Sequence, residues 1–261
     1  MKELSEKSAF VAGAGRGIGR ACALELARRG ARVLSVSRTE SDLLPLLDLK
    51  NSLDDSGAVP GHDVLAADLG ISSGMEKLLE KFNVWGYPDI IIANVNLNRP
   101  LARIDSDGFD FSAERVFESV EYLSRILPAT LAKQKEKRFG RWVGVSSIIA
   151  RRGGPGQTLY AVKKSVLETL FLNLALEYGR FGITANIVSP GLIDTEGVRK
   201  RHPEETLHKL QNMNLMGRMG TPEEAAHAAA FLASPGAAYI TGVTIPVCGG
   251  ADLNWFLNDL K

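Results

Sequence analysis

The sequence predicts an α/β protein in a single domain, built on a doubly wound parallel sheet with helices on both faces. Three observations predict it. Short apolar runs alternate with longer amphipathic stretches along the 261 residues. The short runs are nearly continuous in apolar residues, as strands buried on both faces are. Strand–helix–strand alternation at this spacing calls for crossover helices and therefore parallel strands. Apolar residues make up 45% of the chain and charged residues 23%, a balance that supports one full core.

The elements follow in order. The first strand is expected at 8–12 (SAFVA), before a helix at 17–29. The second is 32–36 (RVLSV), with a helix at 40–50. The third, 63–67 (DVLAA), precedes a helix at 73–83, and the fourth, 89–93 (DIIIA), precedes a long helix at 112–137. The fifth, 141–146 (RWVGVS), leads to a helix at 157–179. The sixth, 183–188 (ITANIV), and the seventh, 243–247 (VTIPV), flank a helix at 222–233. Residues 192–217 interrupt this rhythm. They are polar and contain Gly197 and Pro203, with two methionines near Gly217. Such an excursion late in a doubly wound sheet reads as a lid over the site or as a helical hairpin without a gating role.

Composition excludes several classes. A net charge of +1 gives no reason to expect nucleic acid or an anionic membrane surface as partner. Cys22 and Cys248 are too few for a disulfide framework and suit small core positions. His62, His202, His208 and His227 form no ligand pattern, so no metal is expected. The polar start and the lack of an apolar run of 18 residues lead us to expect a cytoplasmic protein with no membrane span.

The first strand ends in a glycine turn, Gly13-Ala14-Gly15-Arg16-Gly17-Ile18-Gly19, that opens the first helix. Glycines permit the tight turn, and backbone N–H groups with the helix N-terminus can meet a phosphate. The spacing, Gly-x-x-x-Gly-x-Gly, differs from the usual dinucleotide fingerprint. The second strand ends Val36-Ser37-Arg38, where a carboxylate would have accepted from ribose hydroxyls. Arg38 and Arg16 suit a 2′-phosphate instead, so the expected cofactor is NADP(H). Asp68, with Leu69 beside it, is placed to contact adenine; for Asp68 a strand cap is the alternative reading.

One tyrosine has a lysine four residues on and a serine thirteen residues back: Tyr160, with Lys164 and Ser147. On a helix, a spacing of four places Tyr160 and Lys164 on one face. An ammonium beside a phenol favours the phenolate and is expected to lower the phenol's pKa from about 10, towards use as an acid or base.

These residues resemble the short-chain dehydrogenase/reductase family, in its 3-oxoacyl-thioester reductase-like branch. The resemblance covers nearly the whole chain. It includes Asn186, Ser189-Pro190-Gly191, Thr195, Tyr239-Ile240-Thr241-Gly242 and Gly249-Gly250 in family order. It implies a seven-stranded Rossmann sheet with the site at the carboxyl ends of the strands. It also implies that Tyr160 is the acid or base and that Ser147 bonds the substrate oxygen. Lys164 would lower the tyrosine's pKa and hold the nicotinamide ribose. Asn94, Pro190, Gly191, Ile193 and Thr195 would complete the cofactor site, Ile193 and Thr195 at the carboxamide. The implied assembly is a homotetramer or dimer, paired through helices 112–137 and 157–179. The implied reaction moves hydride between NADP(H) and a ketone or secondary alcohol.

Three positions depart from the family pattern. Ala12 stands where a threonine is usual. Ala93-Asn94-Val95-Asn96 stands for Asn-Asn-Ala-Gly. The helix asparagine that holds a relay water is missing, its position falling near Arg115 in our alignment. A non-catalytic NADP(H)-binding sensor or scaffold is therefore the rival. An NAD-dependent polyol or hydroxysteroid dehydrogenase is opposed by Ser37 and Arg38. Arg151-Arg152, just after Ser147, reads either as a solvated pair or as an attractor for an acidic substrate or phosphopantetheine arm. Lys133 to Arg138 reads as a surface helix end. Trp255 and Phe256 are expected in a subunit interface or at the pocket rim.

Overall fold

The computed structural model describes residues 2–47, 61–95 and 112–253. Its seven strands are β1 (Ser8–Ala12), β2 (Arg32–Ser37), β3 (Asp63–Ala66), β4 (Ile90–Ala93), β5 (Gly140–Val145), β6 (Ile183–Pro190) and β7 (Thr244–Val247). All pair in parallel, in the order β3-β2-β1-β4-β5-β6-β7. The order reverses direction between β1 and β4. At such a switch point the outgoing loops diverge and leave a crevice at the carboxyl ends.

The near-continuous apolar runs are explained by two cores. Phe10 and Ala12 of β1 face one side, and Ala9 and Val11 face the other. On the first side lie α2 (Ser72–Trp85), α4 (Glu121–Lys137) and α6 (Thr158–Tyr178). On the second lie α1 (Gly17–Arg28) and α9 (Pro222–Ala233), which pack on each other. Phe10, Met75, Phe82 and Phe171 are fully buried, each contributing about 1.5–3 kcal/mol of apolar transfer. A capping box starts α9: the Thr221 hydroxyl accepts from Glu224 N and the Glu224 carboxylate accepts from Thr221 N.

Two element boundaries differ from expectation for visible reasons. Asp89 stands just before β4, its carboxylate accepting from the backbone N and the hydroxyl of Ser8 and pairing with Lys137 at 2.7 Å. The helix expected over 112–137 divides into α3 (Ala113–Phe117) and α4, with Val120 out of helical geometry at φ −123°. The break turns Ser119 and Val120 into the interior and brings Glu118 to Lys163 of α6, Oε2 to Nζ 2.8 Å. Of the helix expected at 40–50, residues 40–42 form a 3-10 turn and 44–47 are helical. Residues 48–50, Asn96, Trp255 and Phe256 lie outside the described residues.

Residues 192–217 form a helical hairpin, α7 (Glu196–Arg201) and α8 (Glu204–Gln211), between β6 and α9. A short helix α5 (Ile149–Arg152) follows Ser147. Among the described residues no helix is long and apolar enough to cross a membrane.

Candidate active site at the switch point

A cleft opens at the carboxyl ends of β1, β2, β3 and β4. Gly13, Gly15, Arg16, Gly17, Ile18, Ser37, Arg38, Asp68, Leu69, Asn94 and Thr195 line it, all of them residues that the sequence singles out. Its cavity volume is about 250 Å³.

The glycine loop is shaped by close approach as much as by openness. Gly13 has φ +71°, and a Cβ there would lie 2.6 Å from the Asn94 carbonyl oxygen. Asn94 closes the switch point from the other side, its Nδ2 donating to Gly13 O at 3.2 Å. Gly19 does not line the cleft. A Cβ on it would lie 2.0 Å from Gly13 O, so this glycine serves the packing of α1 under the loop. Arg20 braces the loop by donating from Nε to Gly15 O at 2.8 Å. No side chain caps α1, which leaves its first N–H groups facing the cleft. Arg16 and Arg38 line the same cleft, and neither joins an ion pair among the described residues. Free helix-end N–H groups, two arginines and the hydroxyls of Ser37 and Thr39 form a donor set that fits a phosphorylated dinucleotide.

Asp42 also lines the cleft. The absence of a carboxylate at the end of the second strand does not extend to this position, five residues beyond Ser37. The sequence hides it because the 3-10 turn Glu40–Asp42 folds back onto Gly15, whose Cβ would lie 2.8 Å from Asp42 Cβ. Thr39, Ala67, Glu196 and Arg201 are further lining residues that motif reading did not single out, and Val36, Val95 and Gly197, named above, line it too. Asp68 does cap its own turn, accepting from Gly70 N at 3.0 Å, while still facing the cleft.

The second cluster stands beside β5, the neighbour of β4. Ser147 is buried just after β5, its hydroxyl accepting from Ile149 N at 3.3 Å, and Tyr160 is half-buried on α6. Lys164, buried one turn along α6, donates to the Val145 carbonyl at 2.8 Å and lies 5.8 Å from the Tyr160 ring centre. Burial holds the Lys164 ammonium down at about 8. Tyr160 departs from expectation. Its burial pushes the phenol above the usual 10, against the Ser147 hydrogen bond and the charge of Arg201, which both favour the phenolate. Desolvation outweighs those two influences, so the phenol is held protonated. That is the form a proton donor needs.

Pro190, Gly191 and Ile193 continue from β6 beside this cluster without lining the cleft. Pro190 O accepts from Ile148 N at 3.1 Å, and Ile193 bridges to Gly220. Thr195 caps α7, accepting from Val198 N at 3.3 Å, and packs near Gly17. The Arg151-Arg152 pair is engaged: Arg151 with Glu168 at 3.0 Å, Arg152 with the carbonyls of Ala251 and Asp252. Among the described residues no group of three His, Cys, Asp or Glu could hold a metal ion. Arg115, half-buried on α3, lies outside the cleft lining.

A family model described as enoyl-(acyl carrier protein) reductase matches residues 13–252. The chain belongs to the short-chain dehydrogenase/reductase family. The 3-oxoacyl-[acyl-carrier-protein] reductase FabG of Pseudomonas aeruginosa is 37% identical over 250 residues, which cover 95% of this chain and 98% of that protein. The protein of the same name from Escherichia coli K12 is 35% identical over 247 residues, covering 94% and 96%. Among solved structures, a 3-oxoacyl (acyl-carrier-protein) reductase from Agrobacterium tumefaciens with NADP bound is 28% identical, with a TM-score of 0.81 and 95% of each chain covered. YwfH, an NADPH-dependent reductase involved in bacilysin biosynthesis, matches at TM-score 0.83 over 95% of this chain and 98% of its own; at 24% identity it bears on the fold alone.

Proposed function

We propose that this chain is an NADP(H)-dependent oxidoreductase that interconverts ketones and secondary alcohols, of the carbonyl reductase or 3-oxoacyl reductase type. The observation that carries this reading is the half-buried Tyr160, one turn from the buried Lys164 on α6 and beside the cationic cleft. The names of the FabG relatives and the NADP-bound neighbour support the same cofactor and reaction.

Bound NADPH supplies the hydride for the substrate carbon. The protein's part falls to its own side chains. Arg16 and Arg38, with Ser37, read the 2′-phosphate, and the N-terminus of α1 meets the pyrophosphate. Asp68 and Leu69 flank the adenine, and Asn94, Pro190, Gly191, Ile193 and Thr195 border the nicotinamide half. Ser147 donates to the substrate oxygen as charge develops there. Tyr160 transfers its proton to that oxygen, and solvent returns one to the phenolate. The Lys164 ammonium, fixed by Val145 O, favours the transient phenolate and the ribose hydroxyls.

Residues 192–217 act as a lid on a single catalytic domain. The protein works in the cytoplasm as a homotetramer or dimer. Leu172 and Leu176 on α6 and Phe117 on α3 are exposed apolar side chains that a second copy would cover.

The direct test is an NADPH-oxidation screen of the purified chain against ketones, quinones, 3-oxoacyl thioesters and enoyl thioesters, with NADH in parallel. Ketone or 3-oxoacyl turnover favouring NADPH is the predicted result. Dinucleotide binding with no turnover in any of these would leave only the sensor reading.

A further inference from the structure

The hairpin over the cleft carries three consecutive cations, Arg199, Lys200 and Arg201, on α7. Two of them are neutralised locally. Arg199 grips Asp194 through Nε and Nη2, both at 2.6 Å. Lys200 pairs with Glu196 at 2.5 Å. Arg201 has no carboxylate partner among the described residues. Its Nε donates to the Gly197 carbonyl one turn back at 2.8 Å, and its side chain lines the cleft. Its charge also favours the Tyr160 phenolate.

Arg201 is exposed, yet its side chain lines the cleft. A guanidinium steadied through Nε, with its Nη groups without an acceptor among the described residues, offers the planar fork that receives a carboxylate. The groups around it leave that part open to a ligand anion: Glu196 is held by Lys200, and Thr195 and Gly197 carry no charge.

We infer that Arg201 binds a carboxylate on the ketone substrate, so that the enzyme selects oxo acids over neutral ketones. The inference rests on the ketone-reducing reading and adds the chemistry of the rest of the substrate. Binding also helps the proton donor. A carboxylate that neutralises Arg201 removes one influence favouring the phenolate, so Tyr160 keeps its proton until the substrate oxygen takes it.

The test compares pyruvate, acetoacetate and levulinate with their methyl esters, which keep the ketone and lose the charge. Wild type, Arg201→Leu and Arg201→Lys are measured for kcat/KM, and NADPH affinity is measured by fluorescence. The predicted result is an acid-over-ester preference of about 10- to 100-fold for at least one pair, as a charge-assisted pair confers. The preference falls towards one in Arg201→Leu and partly returns in Arg201→Lys. Equal use of acids and esters by wild type, or a preference that survives Arg201→Leu, overturns the inference and leaves ketone reduction standing. Loss of NADPH affinity in Arg201→Leu with the preference intact assigns the cation to a cofactor phosphate and overturns it too. If wild type reduces none of the six compounds, binding of the three acids to the enzyme–NADPH complex decides: binding lost in Arg201→Leu supports the anion site, and no binding by wild type refutes it.

Discussion

At Tyr160 two physical influences oppose each other, and their balance determines how the site responds to pH. Burial holds the phenol protonated, while Ser147 and Arg201 pull the other way. The charged partner expected from sequence, Lys164, is itself held down at about 8 by burial. Ketone reduction should therefore fall as pH rises through about 8, because a neutral amine no longer favours the phenolate left after proton transfer. The pH profile of kcat/KM at saturating NADPH checks this, and Lys164→Ala should lose that limb along with most of the activity. The same shift bears on stability with a definite sign. The folded-state pKa lies below the usual 10.5, so burial of the charged amine costs stability at and below pH 8. That cost is relieved as pH rises from about 8 to 10.5, and this group's contribution to stability rises across that window. At the ribose end, Arg38→Asp should weaken NADPH by about 10-fold or more and leave NADH nearly untouched. Fluorescence titration with both cofactors decides it, and equal losses would show that Arg38 does not read the 2′-phosphate.

The break between α3 and α4 is the element-scale feature on which the site leans. Glu118 and Lys163, with side chains 19% and 6% exposed, form an ion pair that ties the break to α6 immediately before Lys164. Lys163→Met removes this ion pair and should lower stability in urea unfolding. Adding Glu118→Leu should recover part of that loss, and a double variant as unstable as the single one would show that the pair is not the tie. The sequence did not reveal this break. Residues 112–137 carry a continuous helical pattern, and what divides them is a tertiary contact with a residue some forty positions away. The strands were legible for the opposite reason. Ile90, Ile91 and Ile92 alternate between two cores, and a run apolar on both faces declares a central parallel strand. The glycine loop was legible as a turn, but its division of labour was not. Gly19 shares its spacing with Gly17, and only the closeness of Gly13 O shows that it serves packing.

For the whole molecule, the strand order puts the glycine loop, Asn94 and the Ser147–Tyr160–Lys164 cluster on one edge of one sheet. Residues on strand ends could be placed from sequence, because parallel order carries every strand terminus to the same side. Asp42 and Arg201 could not. They reach the cleft from a 3-10 turn and from α7, whose paths no local pattern encodes. The expected cation at the phenol was likewise assigned by spacing to Lys164, whereas the fold adds Arg201 from a segment 41 residues further along. The central claim is that the half-buried Tyr160 phenol gives its proton to a ketone oxygen within an NADPH site. Its most direct measurement is ketone-dependent NADPH oxidation by wild type and Tyr160→Phe, with NADPH affinity measured on both. We predict a loss of about 10²- to 10⁴-fold in kcat with cofactor binding retained; turnover near the wild-type rate in Tyr160→Phe would contradict the account.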